Sequence, residues 1–337
     1  MVIVYHQDYM QHKQLFGHPE DPSRLESIIK RLKKEGFFRN IIKPEPGKEQ
    51  DIALVHTQAY IDYIRDSVEG PMDPDTYLRS DTYRIASLAA QGTITAAFES
   101  YEKNVPAFAL VRPPGHHASA FKGGGFCYFN NVAIACEKLR KEKNIKKVAI
   151  LDVDLHHGNG TNDIFYESKD VLYISTHQYG IYPGTGAIDD CGKGEGEGYT
   201  INIPLPPKCG DRTYNYAFEK IIEPVINLFK PEFLFLSFGV DAHYMDPLGQ
   251  LALTSKGYKD IIERVVKLSK KVCNNRLVFS LEGGYNGEAL GEAVATAIAV
   301  SLGKEIELHY LNNKENEENG IKAVNEVVDF QKKYWSI

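Results

Sequence analysis

Asp152, Asp154 and His156 follow one another at intervals of two in the run Leu-Asp-Val-Asp-Leu-His-His-Gly-Asn at 151 to 159. If the apolar residues Val148 to Leu151 form a strand that continues through them, this interval turns the three side chains to one side and Val153 and Leu155 to the other. Carboxylate and imidazole then point the same way. Asp241, at the end of another apolar run, is the best candidate for the third ligand of a catalytic metal that keeps one position open for water. Two carboxylates and one histidine suit zinc, and the same set could hold iron(II), cobalt or manganese. The plain alternative is a surface Asp-x-His loop. The apolar run in front of it argues against exposure, and buried aspartates without a cation would be costly.

Other polar residues fall at comparable places. Short runs rich in β-branched and aromatic residues read as strands at 2–6, 107–112, 147–154, 171–176, 199–205, 233–240 and 276–281. Four of them run into Arg112-Pro-Pro-Gly-His-His117, the Asp152 to Asn159 block, Asp241, and Glu282-Gly-Gly-Tyr285. Between strands, 130–143 places Val132, Cys136 and Leu139 on one helical face, and 254–272 does so with Tyr258, Ile261, Ile262, Val265 and Leu268. Helix starts are expected after Asp21-Pro22, Asp211 and Thr254, giving helices 23–35, 212–230 and 255–272. Strands alternating with amphipathic helices predict an α/β fold with a parallel sheet covered on both faces, and the carboxyl ends of its strands would form the ligand crevice. No 20- to 50-residue repeat or Pro/Ser-rich linker divides the chain, so a single domain over 1–337 is expected. The glycine-rich stretch Cys191 to Gly198 lacks the Gly-Lys-Ser/Thr ending of a phosphate loop and reads as a loop or hairpin.

Composition removes several classes of function. With 45 acidic against 39 basic residues the formal charge is -6, which gives no long-range pull toward nucleic-acid phosphates, so direct nucleic-acid binding is not expected. Cys127, Cys136, Cys191, Cys209 and Cys273 are odd in number and form no Cys-x-x-Cys pair, as free thiols in a reducing compartment would. The N-terminus reads as a strand rather than a signal peptide, and no apolar run approaches the ~20 residues of a membrane span. A soluble cytoplasmic protein, away from membranes, is the expectation. Neither Gly-x-Ser-x-Gly nor His-Glu-x-x-His occurs, which disfavours a serine hydrolase and a zincin.

Six blocks together resemble the zinc-dependent histone deacetylase and acetylpolyamine amidohydrolase superfamily. They are Arg-Pro-Pro-Gly-His-His-Ala at 112–118, Gly-Phe-Cys-Tyr-Phe-Asn-Asn at 125–131, the block at 151–160, Tyr-Pro-Gly-Thr-Gly at 182–186, Ser-Phe-Gly-Val-Asp at 237–241 and Leu-Glu-Gly-Gly-Tyr at 281–285. With the early His18-Pro-Glu and Arg24, the likeness covers about residues 1–303, and 304–337 carries no recognised motif. It implies a single-domain arginase/deacetylase-like fold with a central, mainly parallel sheet of eight strands, one more than the sequence locates. It implies metal ligands at Asp154, His156 and Asp241, tandem catalytic histidines at His116 and His117 backed by Asp152 and Asn159, and a catalytic Tyr285. Asn159, where some members carry Asp, places the chain with the class II-type branch.

The same likeness puts Phe126 and Tyr182 as aromatic walls of an acyl-lysine channel, with Gly125 leaving room beside them. Leu248 stands where polyamine-specialised relatives carry a glutamate, which favours acyl-lysine of a peptide over a small acetylated amine such as an acetylpolyamine. Asp75 falls near the family's rim position for substrate amides. A potassium-sized ion is implied at carbonyls of Asp152, Asp154 and His156 and the hydroxyl of Ser175. In this chemistry a bound metal activates water and polarises the amide, His117 moves the proton, and Tyr285 donates to the developing oxyanion. Asn159 should leave His117 less cationic than an Asp partner would, and Asp152 should make His116 more so. Competing readings are a binuclear arginase-type hydrolase, which wants further Asp/His ligands, and an acetyl-lysine binding protein without catalysis. Whether the chain forms a homo-oligomer is left open.

Overall fold

The computed structural model describes residues 1–312 and 317–337; residues 313–316, within the motif-free segment expected at 304–337, lie outside the described residues. Ten strands are described: β1 (Val2–Val4), β2 (Ile41–Ile42), β3 (Gly70–Asp73), β4 (Thr76–Leu78), β5 (Ala107–Ala109), β6 (Val148–Asp152), β7 (Val171–Gln178), β8 (Thr200–Leu205), β9 (Phe233–Phe238) and β10 (Leu277–Leu281). Eight form one sheet in the order β2-β1-β5-β10-β9-β6-β7-β8, every neighbouring pair parallel. β3 and β4 form a separate antiparallel hairpin. The seven expected strands are all present, and the eighth is the two-residue β2, too short to leave a periodic signal.

Burial explains the strand sequences. β6, β9 and β10 are buried at every position, so they read as near-continuous apolar runs rather than alternations. Helices flank the sheet: Ser23–Lys34 packs on Gly287–Ser301, which packs on Ser255–Val272, while Thr82–Lys103 packs on Asn131–Lys143 and on β1, β5 and β10. Caps mark their starts. Thr254 accepts from the N–H groups of Lys256 and Gly257, and Asn130 accepts from Ala133.

Three expectations need correction. β6 stops at Asp152 rather than running to 154, because the Asp152 side chain takes the Asp154 N–H at 3.1 Å and turns the chain. The helix expected over 212–230 is a succession, Asp211–Ala217, a π turn at Phe218–Ile222 and Glu223–Phe229. Asp211 does not cap it: its carboxylate accepts from the N–H and hydroxyl of Thr254 at 2.9 and 2.6 Å, and Glu317 instead takes the N–H groups of Arg212 and Thr213. The segment beyond 303 thus has a structural task. Its helix Glu317–Gln331 packs on β8, the edge of the sheet, and Trp335 donates to Gly198 O at 2.8 Å.

Candidate active site

The loops after β5, β6, β9 and β10 meet at the carboxyl end of the sheet, as an open parallel sheet requires. Asp154, His156 and Asp241 lie together there, with one ligand atom from each within 4.8 Å of the others. His156 Nδ1 is 3.0 Å from Asp241 Oδ2 and 3.4 Å from Asp154 Oδ1. The backbone supports the two carboxylates: Gly283 N–H donates to Asp154 Oδ2 at 2.8 Å, and Leu155 N–H to Asp241 Oδ1 at 2.8 Å. Strand alternation is not what gathers these residues, since Asp154 and His156 lie beyond β6. Asp152 turns away from the trio, toward His116 and the Tyr173 hydroxyl.

The trio fits a divalent cation on the chemistry of its donors. Two buried carboxylates face each other, and burial together with the Asp154 charge pushes Asp241 up to about 7. Burial opposes charge on His156, but its hydrogen bonds to Asp154 and Asp241 outweigh this and hold it up at about 10. A proton thus stands where a cation would relieve the same repulsion. A second buried trio, His116, Cys127 and Glu282, is as compact, yet its groups are already engaged: Glu282 Oε2 accepts the N–H groups of Gly115 and His116, and His116 Nδ1 meets Asp152.

His116 and His117 stand with ring centres 4.0 Å apart. His116 Nδ1 meets Asp152 Oδ2 at 3.1 Å, and His117 Nδ1 meets Asn159 Oδ1 at 2.8 Å. With Asn159 Oδ1 accepting, His117 carries its proton on Nδ1 and keeps Nε2 basic. Burial disfavours charge on both rings. For His116 the Asp154 and Asp152 charges outweigh it and raise the ring to about 10; for His117 the neighbouring His116 and His156 add to it and hold the ring neutral. Asn159 is therefore permissive, and burial together with the charge on His116 is what keeps His117 unprotonated.

Tyr285 and the five expected channel residues line one cavity of about 200 Å³ with His116, His117 and His156: Asp75, Gly125, Phe126, Tyr182 and Leu248 all face it. Phe126 is held at φ 69°, a conformation unfavourable for an aromatic residue, by its N–H bond to Thr76 Oγ1 and by edge contact of its ring with His18 and Tyr285. Tyr182 meets the His117 ring edge-on at 5.0 Å. A Cβ on Gly125 would fall 2.5 Å from His117 Cδ2, so only glycine lets the backbone pass there. Burial keeps the Tyr285 phenol well above its ordinary pKa, hence a proton donor. Ser175 is the register partner of Asp152 on β7, with its hydroxyl on His177 Nδ1 at 2.9 Å.

Several residues, among them Glu282 and Arg24 of the recognised blocks, have supporting tasks that the sequence does not specify. Glu282 Oε2 accepts the N–H groups of Gly115 and His116 at 2.7 and 3.2 Å, fixing the tandem-histidine loop. Asp246 Oδ2 accepts the N–H groups of Tyr285 and Asn286 at 2.6 and 3.2 Å, while its Oδ1 takes Leu248 N–H at 3.0 Å. Arg24 Nε donates to Gly284 O at 2.7 Å, and its guanidinium lies 4.9 Å from the Tyr285 ring centre. Each acts through backbone groups, which no motif specifies.

A parallel eight-stranded sheet covered by helices, with a buried His/Asp cluster at its carboxyl edge, defines an α/β protein whose site is compatible with metal-dependent deacetylation. Residues 18–301 match the histone deacetylase domain family, and the chain belongs to it. It is 45% identical over 293 residues to a probable deacetylase of Archaeoglobus fulgidus, covering 85% of this chain and 81% of that one. It is 39% identical over 313 residues to the chloroplastic histone deacetylase 14 of Arabidopsis thaliana, covering 86% and 74%. The solved structure of the HDA15 HD domain superposes with a TM-score of 0.90 at 33% identity, over 99% of this chain and 97% of that one. The protein is accordingly a hydrolase of the deacetylase type. Among the described residues no helix is long and apolar enough to cross a membrane.

Proposed function

We propose that this chain, as one catalytic domain over 1–337, removes acetyl groups from the lysine side chains of peptides or proteins, with zinc held by Asp154, His156 and Asp241. The supporting observation is the convergence on one cavity of His156, the tandem histidines, Tyr285 and an aromatic mouth. When bound, the cation supplies Lewis acidity and lowers the pKa of a water; iron(II) or cobalt would satisfy the same donors. His117 Nε2 takes the water proton and returns it to the leaving amine. The charge of His116, held by Asp152, and the Tyr285 hydroxyl stabilise the oxygen that becomes negative. Phe126 and Tyr182 pack on the four lysine methylenes, at ~0.8 kcal/mol each about 3 kcal/mol in all. Asp75 orients substrate amides from the rim, and the Ser175 hydroxyl with the Asp152, Asp154 and His156 carbonyls would hold a potassium ion, which would stiffen the loop when bound.

A small acetylated amine is the second reading. It is favoured by the neighbouring Asp73 and Asp75 at the mouth, where burial and the Asp73 carboxylate push Asp75 up, an arrangement a cationic ligand would relieve. The apolar Leu248 in the lining of the same cavity favours the peptide. Assaying the zinc-reconstituted protein on acetyl-lysine peptides and acetylated polyamines side by side separates them: peptides should have the higher kcat/KM, and the reverse order would overturn the assignment.

A further inference from the structure

Beside the catalytic cavity lies a second concavity of about 390 Å³, lined by Tyr60 and Tyr63 of helix Gln58–Asp66, Met72 of β3, Phe121, the Lys122 stem and Gly123. Phe121 is 70% exposed and Tyr63 44%, so two aromatic rings stand in water next to the mouth of the site. A single ridge separates the groove from the cavity. Along one side the chain passes from Gly123 in the groove, through Gly124, to Gly125 in the cavity. Along the other it passes from Met72 in the groove to Asp75 in the cavity. Asp73 fills the ridge between: a Cβ on Gly124 would lie 2.6 Å from Asp73 Oδ2, and Gly125 N–H donates to that oxygen at 3.3 Å. The floor is fixed, because the Tyr60 hydroxyl donates to Tyr128 O at 2.7 Å.

We infer that this groove is a substrate subsite that takes an apolar or aromatic side chain two residues from the acetylated lysine of an extended peptide. The inference rests on the peptide reading of the site and sharpens its substrate class. Gly123, which lines the groove, and Gly125, which lines the cavity, are two residues apart, a span of at most about 7 Å of backbone. An extended peptide advances about 6.6 Å in two residues and presents both side chains to the same face. A residue adjacent to the lysine would point away, and a small acetylated amine has no side chain to place there.

The test uses the zinc-reconstituted full chain and a set of acetyl-lysine peptides in a glycine/alanine host, with one Phe moved through the two positions on each side of the lysine. Phe at two residues on one side should raise kcat/KM about tenfold over Gly, mostly through KM, equal to about 1.4 kcal/mol. Phe121→Ala and Tyr63→Ala, both at exposed rings, should each cut that preference to within about twofold and leave turnover of a single acetyl-lysine amide unchanged. A preference of less than twofold everywhere, one confined to the adjacent positions, or one that survives both variants would overturn the subsite. The same peptides are measured for Kd by fluorescence anisotropy. A Phe preference in Kd that the variants abolish, with no turnover of any peptide, upholds the groove and overturns the catalytic reading; no preference in Kd together with normal turnover does the reverse.

Discussion

Gly283 offers a perturbation whose size can be read from the geometry. A Cβ built there lies 2.7 Å from Asp154 Oδ2 and nearer still to Asp241 Oδ2, the two carboxylates that face the proposed metal. Neither neighbour can be accommodated: to reach even a 3.0 Å contact, Asp154 must retreat by at least 0.3 Å and Asp241 by more. Metal–ligand distances tolerate about 0.2 Å. Gly283 is not in the left-handed region, so alanine suits its backbone and the collision is the whole effect. Displacing two ligands at once should cost more than the ten- to hundredfold typical of a supporting residue, so zinc affinity should fall by at least about a hundredfold. The assay is zinc content after dialysis against a competing chelator, with thermal unfolding of the metal-free and zinc-loaded forms. The metal-free variant should melt below the metal-free parent by the roughly 1 to 3 kcal/mol that such overpacking costs, and zinc should no longer raise its midpoint. A Gly283→Ala protein that keeps one tightly bound zinc and full activity would refute the placement of the site.

Glu20 tests the buried framework under Tyr285. Burial would raise its carboxyl, but Arg112 and Arg24 outweigh this and take it from the ordinary 4.5 down to about 2. Because the folded value is the lower one, its contribution is present above pH 4.5 and lost as pH falls toward 2. Glu20→Gln should cost about 3 to 5 kcal/mol at neutral pH, by leaving buried guanidinium charge unpaired, and should flatten the acid limb of the stability profile; an unchanged profile would count against the pairing. Asp241→Ala should lose bound metal and activity together while circular dichroism stays that of a folded α/β protein, and one tightly bound metal per chain in that variant would exclude Asp241 as a ligand. Thallium soaked into crystals should give an anomalous peak beside Ser175, and its absence would remove the proposed potassium site.

The parts of the fold that sequence made legible are those whose burial is complete. Val148 to Leu151, Phe233 to Phe238 and Leu277 to Leu281 read as central strands because both faces are covered. Ile41–Ile42 did not, since two residues cannot show a period, and the end of β6 did not, since it is set by one side-chain hydrogen bond rather than by composition. At the site, residue types identified donors and acids, and the family likeness supplied their pairing. What stayed hidden is support delivered through the backbone: Glu282 under the tandem histidines, Asp246 behind Tyr285, and the chain beyond 303, where Glu317 caps a helix from a stretch with no motif. The strand-alternation reading of Asp152, Asp154 and His156 gathered the right neighbourhood but missed that Asp152 serves His116, a pairing that the family likeness implied.

Acetate release from an acetyl-lysine peptide, measured for the zinc-reconstituted parent and for Tyr285→Phe, tests the account most directly. The substitution keeps the ring against Phe126 and Arg24 and removes only the hydroxyl. Since that hydroxyl meets charge that develops only in the transition state, the loss should fall on kcat, by about a hundred- to a thousandfold, with KM and zinc content nearly unchanged. A parent that releases acetate only with metal, and a variant slowed to that degree, is the predicted result. Turnover by Tyr285→Phe within about threefold of the parent, or a parent that releases no acetate from any acetylated amine with metal present, would contradict it.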